Sequence, residues 1–401
     1  MIPRKRIDIG CADLLRALGY CVLPGNADAA AASVQARWDT RPHLACLAVR
    51  SGLDALLSVL ALPTGTAVLM SAVNIADMAR IVEAHGLRVV PVDIDMSTLA
   101  VTRESLARAY AQAPDARVCL IAHLYGSRMP LSEIGDFCFK NNMLLVEDCA
   151  QGYTGDGWRG APESDVTLFS FGPVKTATAL GGAMMGFRDA ALSDRVREHM
   201  QQWPLQLRTA YALRLLKYLA FAPFAYRWPY GGLARVCRWL GISHDRFLSA
   251  AVRGFSNEQF LARIRKRASL PLLRLLALRL ARKTEVATEW RAAIGEQLLG
   301  LLGRARCMGS DSAYRAHWLF PIMHDKPDGL AAFLQQRGFD ATRKASSIGV
   351  ITAPSGVTPP AQALAGFQRL LYLPAHEGMR RDDATRLASA VCEFDQWTAS
   401  P

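Results

Sequence analysis

The chain has 401 residues, 51% of them hydrophobic and 20% charged. That balance excludes a disordered or collagen-like chain and leaves room for two domains. None of the nine cysteines forms a C-x-x-C pair, so a zinc ribbon and a thioredoxin-type motif are excluded, and reduced cytosolic thiols are expected.

No run of 18 uncharged apolar residues occurs, and Asp8 and Asp13 follow Arg4, Lys5 and Arg6 directly. Neither a membrane-spanning helix nor a signal peptide is expected. The net charge of +12 is unevenly placed. Residues 203–283 hold 16 Lys and Arg against two acids, Asp245 and Glu258, so this stretch carries more than the whole net charge.

In chain order, residues 44–48 read as a short buried segment, and Ser51-Gly52 opens a helix with apolar spacing at Leu53, Leu56, Leu57 and Leu60. A strand at 67–70, a helix at 75–85 with Gly86 as its C-cap, and a strand at 88–91 follow. Then come a helix at 103–112, a strand at 118–122, a helix at 131–141 and a strand at 144–147. Two further strands span 166–171 and 183–187. From about 190 to 300 the pattern is helical. Beyond 313 a new β/α pattern begins, with strand 317–323, helix 327–337, strand 371–373 and helix 382–397. Strands alternating with helices predict an α/β fold with a mostly parallel sheet sandwiched by helices. We expect a large α/β domain over 1–285 and a smaller C-terminal α+β domain over 286–401.

Ligands of open α/β sheets sit at the C-terminal ends of the strands, and three polar spots fall there. Ser51-Gly52 enters a helix, which suits a bound phosphate or a plain N-cap. Glu147-Asp148 ends an apolar strand, where a buried carboxylate calls for a cation or a capped turn. Lys175 follows another strand, with no other charge between Gly172 and Gly186. A lysine in so apolar a setting can have a lowered pKa and form a Schiff base. A lysine for an aldehyde, an acid for a pyridinium nitrogen and a cup for a phosphate together fit pyridoxal 5'-phosphate. No metal site is expected.

The order and spacing of these spots resemble the DegT/DnrJ/EryC1/StrS family of sugar aminotransferases. The matching segments are SGLDAL (51–56), VVPVDID (89–95), HLYG (123–126), VEDCAQ (146–151) and SDVTLFSFGPVK (164–175), with weaker likeness at 253–260, 270–283 and 371–376. The resemblance implies fold type I of the pyridoxal-phosphate enzymes and a homodimer with active sites at the subunit interface. By position, Lys175 matches the Schiff-base lysine and Asp148 the acid that keeps the pyridine nitrogen protonated. Gln151 lies by the ring hydroxyl. Ser170 and the amides of Gly52 and Leu53 match the phosphate ligands, and Asn257 an Asn reaching the phosphate from the partner. Asn74 takes the position over the ring, where the family has an aromatic residue. Leu53 replaces a threonine, and the stretch after the lysine is one residue shorter. Arg343 to Ser347 stands where a His-Tyr sugar-site motif is usual.

The implied activity is transfer of an amino group, with glutamate as the usual donor, to a keto-sugar linked to a nucleotide or a lipid. The alternative is a non-catalytic or regulatory relative that keeps the fold. The basic, aromatic stretch at about 203–250 reads as an insertion. Leu213, Leu216, Ala220 and Phe224 fall at helical spacing, which suits a helix packed on the body or a dimer mate. It also suits a peripheral contact with the inner face of a membrane. Its basic residues are interleaved with leucines, which speaks against nucleic acid.

Overall fold

The computed structural model describes residues 1–39, 41–240, 259–282, 284–343 and 348–399. Helices α1 (Cys11–Val22) and α2 (Ala27–Gln35) precede β1 (His43–Cys46) and α3 (Val49–Leu60). Then come β2 (Ala67–Ser71), β3 (Val73–Ile75), α4 (Ala76–Ala84), β4 (Arg88–Val92), β5 (Ile94–Asp95), β6 (Ala100–Val101) and α5 (Arg103–Ala111). β7 (Val118–Ala122), β8 (Ser127–Arg128), α6 (Ser132–Lys140), β9 (Leu144–Asp148), β10 (Val166–Ser170), β11 (Ala183–Phe187) and α7 (Ala190–Gln201) follow. A helical stretch holds α8 (Arg208–Phe221), a 3-10 turn (Ala222–Ala225), α9 (Arg227–Trp239), α10 (Phe260–Ile264), α11 (Leu270–Leu280) and α12 (Glu285–Leu302). Last are β12 (Tyr314–Arg315), β13 (Phe320–Met323), α13 (Pro327–Gln336), β14 (Ile348–Val350), α14 (Ala361–Gln368), β15 (Leu370–Leu373) and α15 (Arg381–Ala399).

Seven strands form the central sheet in the order β1-β11-β10-β9-β7-β2-β4. The pairs joining β10, β9, β7, β2 and β4 are parallel, and β11 is antiparallel to both its neighbours. These strands read as near-continuous apolar runs because both faces are covered. Alternation still sorts their side chains. Val118 and Leu120 of β7 join the layer formed with α3, α4 and α7, while Cys119 and Ile121 join the opposite layer with α5 and α6. Near β10 and β11 that second layer is built from α1, α2, α8 and α11 around Phe169, Phe171 and Met184. A separate core gathers α12, α13 and α15 over the antiparallel pair β13–β15.

The expected alternation of strands and helices is present, with one shift that bears on the site. Helix α3 begins at Val49, two residues before Ser51. Gly86 ends α4 as expected. Its φ is +70°, its amide donates to Glu83 and the Leu87 amide to Val82, the two hydrogen bonds of a Schellman turn.

The sequence reading of α8 is corrected. Leu213 and Leu216 are exposed and Ala220 also faces outward, while Tyr211, Leu215 and Tyr218 are buried. Polar anchors decide this. The Tyr211 hydroxyl donates to the Ala179 carbonyl at 2.7 Å, and Arg214 Nη1 to the Leu180 carbonyl at 3.0 Å. The helix is tied to the loop after Lys175 through its tyrosine face, which turns the leucines out.

Asp54 of α3 is fully buried and links three elements. It accepts from Arg265 Nε at 2.9 Å and lies 3.0 Å from His85 Nε2. Burial raises its pKa, but the bonds to His85 and Arg265 outweigh that and hold it below the usual carboxylate range. Its contribution is therefore present above the ordinary carboxylate pKa and is lost as pH falls through the lowered value. Asp54→Ala should cost about 2–3 kcal/mol in urea unfolding at neutral pH, and the gap from wild type should shrink in acid.

Candidate active site

Pairing brings the three polar spots to one end of the sheet. Ala183 of β11 pairs with Cys46 on one side and Ser170 on the other, so the start of α3 and the end of β10 are level. Asp148 ends β9, paired with Leu168 of β10 and Ala122 of β7.

The N-cap of α3 is Ala48, which has no side chain to accept from the first turn. The Gly52 amide already donates to the Ala48 carbonyl at 3.1 Å, and Leu53 lies one residue deeper, buried in the core. The first-turn amides without a helical acceptor are those of Val49, Arg50 and Ser51, directly before the expected Gly52 and Leu53 pair. Ser51 is no cap either, since its hydroxyl donates to the Ile264 carbonyl at 2.7 Å. Ser170 Oγ accepts a long bond, 3.4 Å, from the Gly172 amide.

Lys175 sits in a folded-back loop. Its amide donates to the Gly172 carbonyl at 3.0 Å. Thr178 Oγ1 bonds the Gly172 carbonyl at 2.6 Å and accepts from the Leu180 amide at 2.9 Å. Ala177 and Leu180 adopt positive φ, and Asp8 Oδ2 accepts the Ala177 amide at 2.6 Å. The lysine Nζ lies over the Trp318 ring, 4.1 Å from its centroid. Burial lowers its pKa to about 8, partly countered by Asp148 and reinforced by Arg50.

Asp148 is buried, with Oδ1 accepting the Ala150 amide at 2.9 Å. Burial raises its pKa, opposed by that bond, by Lys175 and by His123. The two groups are thus electrostatic partners, each pushed towards neutrality by the same dry surroundings. Gln151 Oε1 accepts the Tyr125 amide at 2.9 Å. Asn74 lies in β3 opposite Gly349 of β14. Its Oδ1 accepts the Ile75 amide at 2.7 Å, while its buried Nδ2 has no partner. Asn257 and residues 344–347 lie outside the described residues; Arg343 pairs with Asp328.

Several contributors went unread in the sequence. Trp318 comes from a distant segment with no local signal. Thr178 sits in the otherwise uncharged stretch around Lys175 and was legible as a turn hydroxyl. Glu147 and Asp148 are successive strand residues, so their side chains point to opposite faces. Glu147 Oε1 binds His123 Nε2 at 2.7 Å, and His123 Nδ1 accepts the Met129 amide, which puts the ring proton on Nε2. Cys149 lies close by, so His123, Glu147 and Cys149 bring ligand-type atoms within 4.8 Å of one another. His123, Ser164 and the Ala161 amide all bond the Glu147 carboxylate, and burial keeps the Cys149 thiol protonated by raising its pKa. The cluster is a hydrogen-bonded brace behind β9.

Residues 40–208 match the profile of the DegT/DnrJ/EryC1/StrS aminotransferase family. The match is confined to this segment, less than half of the chain. The resemblance read from the motifs is borne out, and the family segment contains Lys175, Asp148, Gln151, Ser170 and Asn74. One relative, a dTDP-4-dehydro-2,3,6-trideoxy-D-glucose 4-aminotransferase of Saccharopolyspora spinosa, is 30% identical over 154 residues, 37% of this chain and 40% of that protein. The chain therefore spans less than half of that relative's length. Among solved structures, the aminotransferase TlmJ of Streptoalloteichus hindustanus superposes with a TM-score of 0.72 at 19% identity, over 99% of this chain and 100% of the other. The sugar aminotransferase Spr1654 of Streptococcus pneumoniae, solved in its PLP form, gives 0.68 at 15% identity over 98% of each chain. The fold-type-I architecture is thereby shown.

The side chains suit the implied cofactor. Uncapped amides and Ser170 would hold a phosphate, Asp148 a protonated ring nitrogen, and Lys175 an aldehyde carbon. Because the lysine pKa is lowered, its amine is free above about pH 8 and protonated below. Amine-directed labelling of Lys175 in cofactor-free protein, read by peptide mass spectrometry, should rise with a midpoint near pH 8. In Asp148→Asn the midpoint should move lower, because the group that stabilises the ammonium is gone.

Proposed function

We propose that the chain is a pyridoxal-phosphate-dependent aminotransferase that moves an amino group from an amino acid, glutamate first among candidates, to a keto-sugar carried on a nucleotide. The observation that carries this reading is that Lys175 lies within electrostatic reach of the buried Asp148 at the strand ends, beside an uncapped helix N-terminus. When bound, the cofactor supplies an electron sink for the carbanion left when the substrate carbon loses its proton.

The chain's own residues would do the rest. Asp148 would keep a proton on the ring nitrogen, and its burial at the end of β9 keeps water from competing for its charge. Lys175 Nζ, once released, is the base that takes and returns the proton at the substrate carbon. The flat Trp318 face limits where that amine can swing, and Thr178 and Asp8 fix the backbone that carries it. A lysine with a near-neutral pKa beside a buried acid speaks against a non-catalytic relative. The homodimer implied by the resemblance is part of this reading.

The test is the visible absorption of the purified protein with pyridoxal phosphate. A band from the lysine-linked cofactor should form in wild type, be absent in Lys175→Ala, and bleach on adding glutamate. A band that glutamate never changes contradicts transamination from that donor.

We further propose that α8 and α9 rest on an anionic membrane surface. Trp228 and Trp239 are 86% and 85% exposed and Leu213 68%. Trp228 and Trp239 lie three helical turns apart on one face of α9. Residues 203–240 hold six Lys and Arg and no acid. Aromatic rings beside basic residues suit the headgroup boundary. Among the described residues no helix is long and apolar enough to cross a membrane. Co-sedimentation with phosphatidylserine vesicles should exceed that with neutral vesicles and fall sharply in Trp228→Ser/Trp239→Ser. Equal recovery with both vesicle types contradicts the proposal.

A further inference from the structure

The N-terminal segment brings a second lysine to the site. Ile2 exchanges backbone bonds with Gly338 and Asp340, and the Arg4 amide donates to Asp340 Oδ2 at 3.1 Å. The segment is thus tied to the C-terminal part, and Lys5 is carried inward. Its Nζ lies 3.2 Å from the centroid of the Trp318 ring, the ring that Lys175 Nζ also touches. The two amines can be no further apart than those two contacts laid end to end. Trp318 itself is fixed, since its Nε1–H donates to the Val174 carbonyl at 3.0 Å.

Arg291 of α12 lines the same recess. It is buried, with Nε donating to the Ala316 carbonyl at 3.0 Å and Nη1 to Thr176 Oγ1 at 3.5 Å. His376 is the third wall. Its Nδ1 accepts the Gly378 amide at 3.0 Å, which leaves the ring proton on Nε2. Lys5 Nζ and Arg291 Nη2 are buried and lack a hydrogen-bond partner, while the His376 ring meets the Pro3 backbone. Two orphaned donors around one recess are costly, and each asks for an acceptor.

The acids nearby do not meet that need. Asp8 is committed to the Ala177 amide and to Arg279. Glu377 also lines the recess, but its one carboxylate faces both Lys5 and Arg291. Burial, Lys175 and Arg291 drive the Lys5 pKa well below its ordinary value, and burial lowers that of Arg291. An arriving anion would relieve both.

We propose that the recess formed by Lys5, Arg291 and His376 receives the carboxylate of the amino donor. This rests on the aminotransferase reading. The carbon that gives up the amino group bears its carboxylate directly, so that group must lie a few atoms from Lys175 Nζ. The phosphates of a nucleotide-linked sugar lie beyond the sugar ring. A guanidinium edge beside an ammonium matches the two oxygens of a carboxylate.

Calorimetry of succinate binding to the cofactor-loaded protein tests this without turnover. Wild type should bind it. Lys5→Met and Arg291→Met should each weaken binding about tenfold or more, the size expected for one charge-assisted bond. Lys5→Arg should retain it. The glutamate concentration that half-bleaches the cofactor band should rise by the same factor in Lys5→Met. Succinate binding unchanged in both Met variants overturns the proposal. So does inorganic phosphate binding more tightly than succinate through the same residues. If glutamate bleaches nothing in wild type, the aminotransferase reading fails, and succinate binding still decides the recess.

Discussion

The site depends on holding an amine and a carboxylate in dry surroundings at the end of a parallel sheet. Asp148 is buried and Lys175 half-buried, and desolvation pushes the lysine pKa down and the aspartate pKa up. Neither group could be kept there alone, because an unpaired buried charge is costly. Each limits the shift of the other. The result is an amine that can lose its proton near neutral pH beside an acid that can hold a cationic ring. The rest of the fold fixes the two groups in register.

That register comes from strand pairing. β9 and β10 are parallel neighbours, so Asp148 and Ser170 emerge at one edge, and β11 brings the start of α3 level with Ser170. The lysine loop is then stitched from several directions. Thr178 closes it locally, Asp8 holds it from the N-terminal segment, and Tyr211 and Arg214 hold it from α8. The helical stretch after the sheet is therefore part of the site's support as well as a surface. Its tyrosine face is spent on that support, and its leucines and tryptophans are left outside.

Much of this was legible in the sequence. Apolar runs separated by helix-period segments fixed the strands, and the apolar setting of Lys175 and the acid pair ending β9 marked the chemistry. Three things were not legible, each for a physical reason. The start of α3 lay two residues early because Ala48 is an N-cap with no side-chain signal. The buried face of α8 followed its tyrosine and arginine anchors instead of its leucines, a choice that only the carbonyls of Ala179 and Leu180 explain. Trp318, Arg291 and Lys5 meet from three distant segments, and nothing in their local sequence announces that contact.

Two lysines share one tryptophan ring, and the account assigns them different work: Lys175 holds the cofactor and Lys5 a substrate anion. Borohydride reduction of the cofactor-loaded protein, followed by peptide mapping, separates them directly. The account requires the reduced adduct on Lys175 alone. An adduct on Lys5, or none on Lys175, would contradict it.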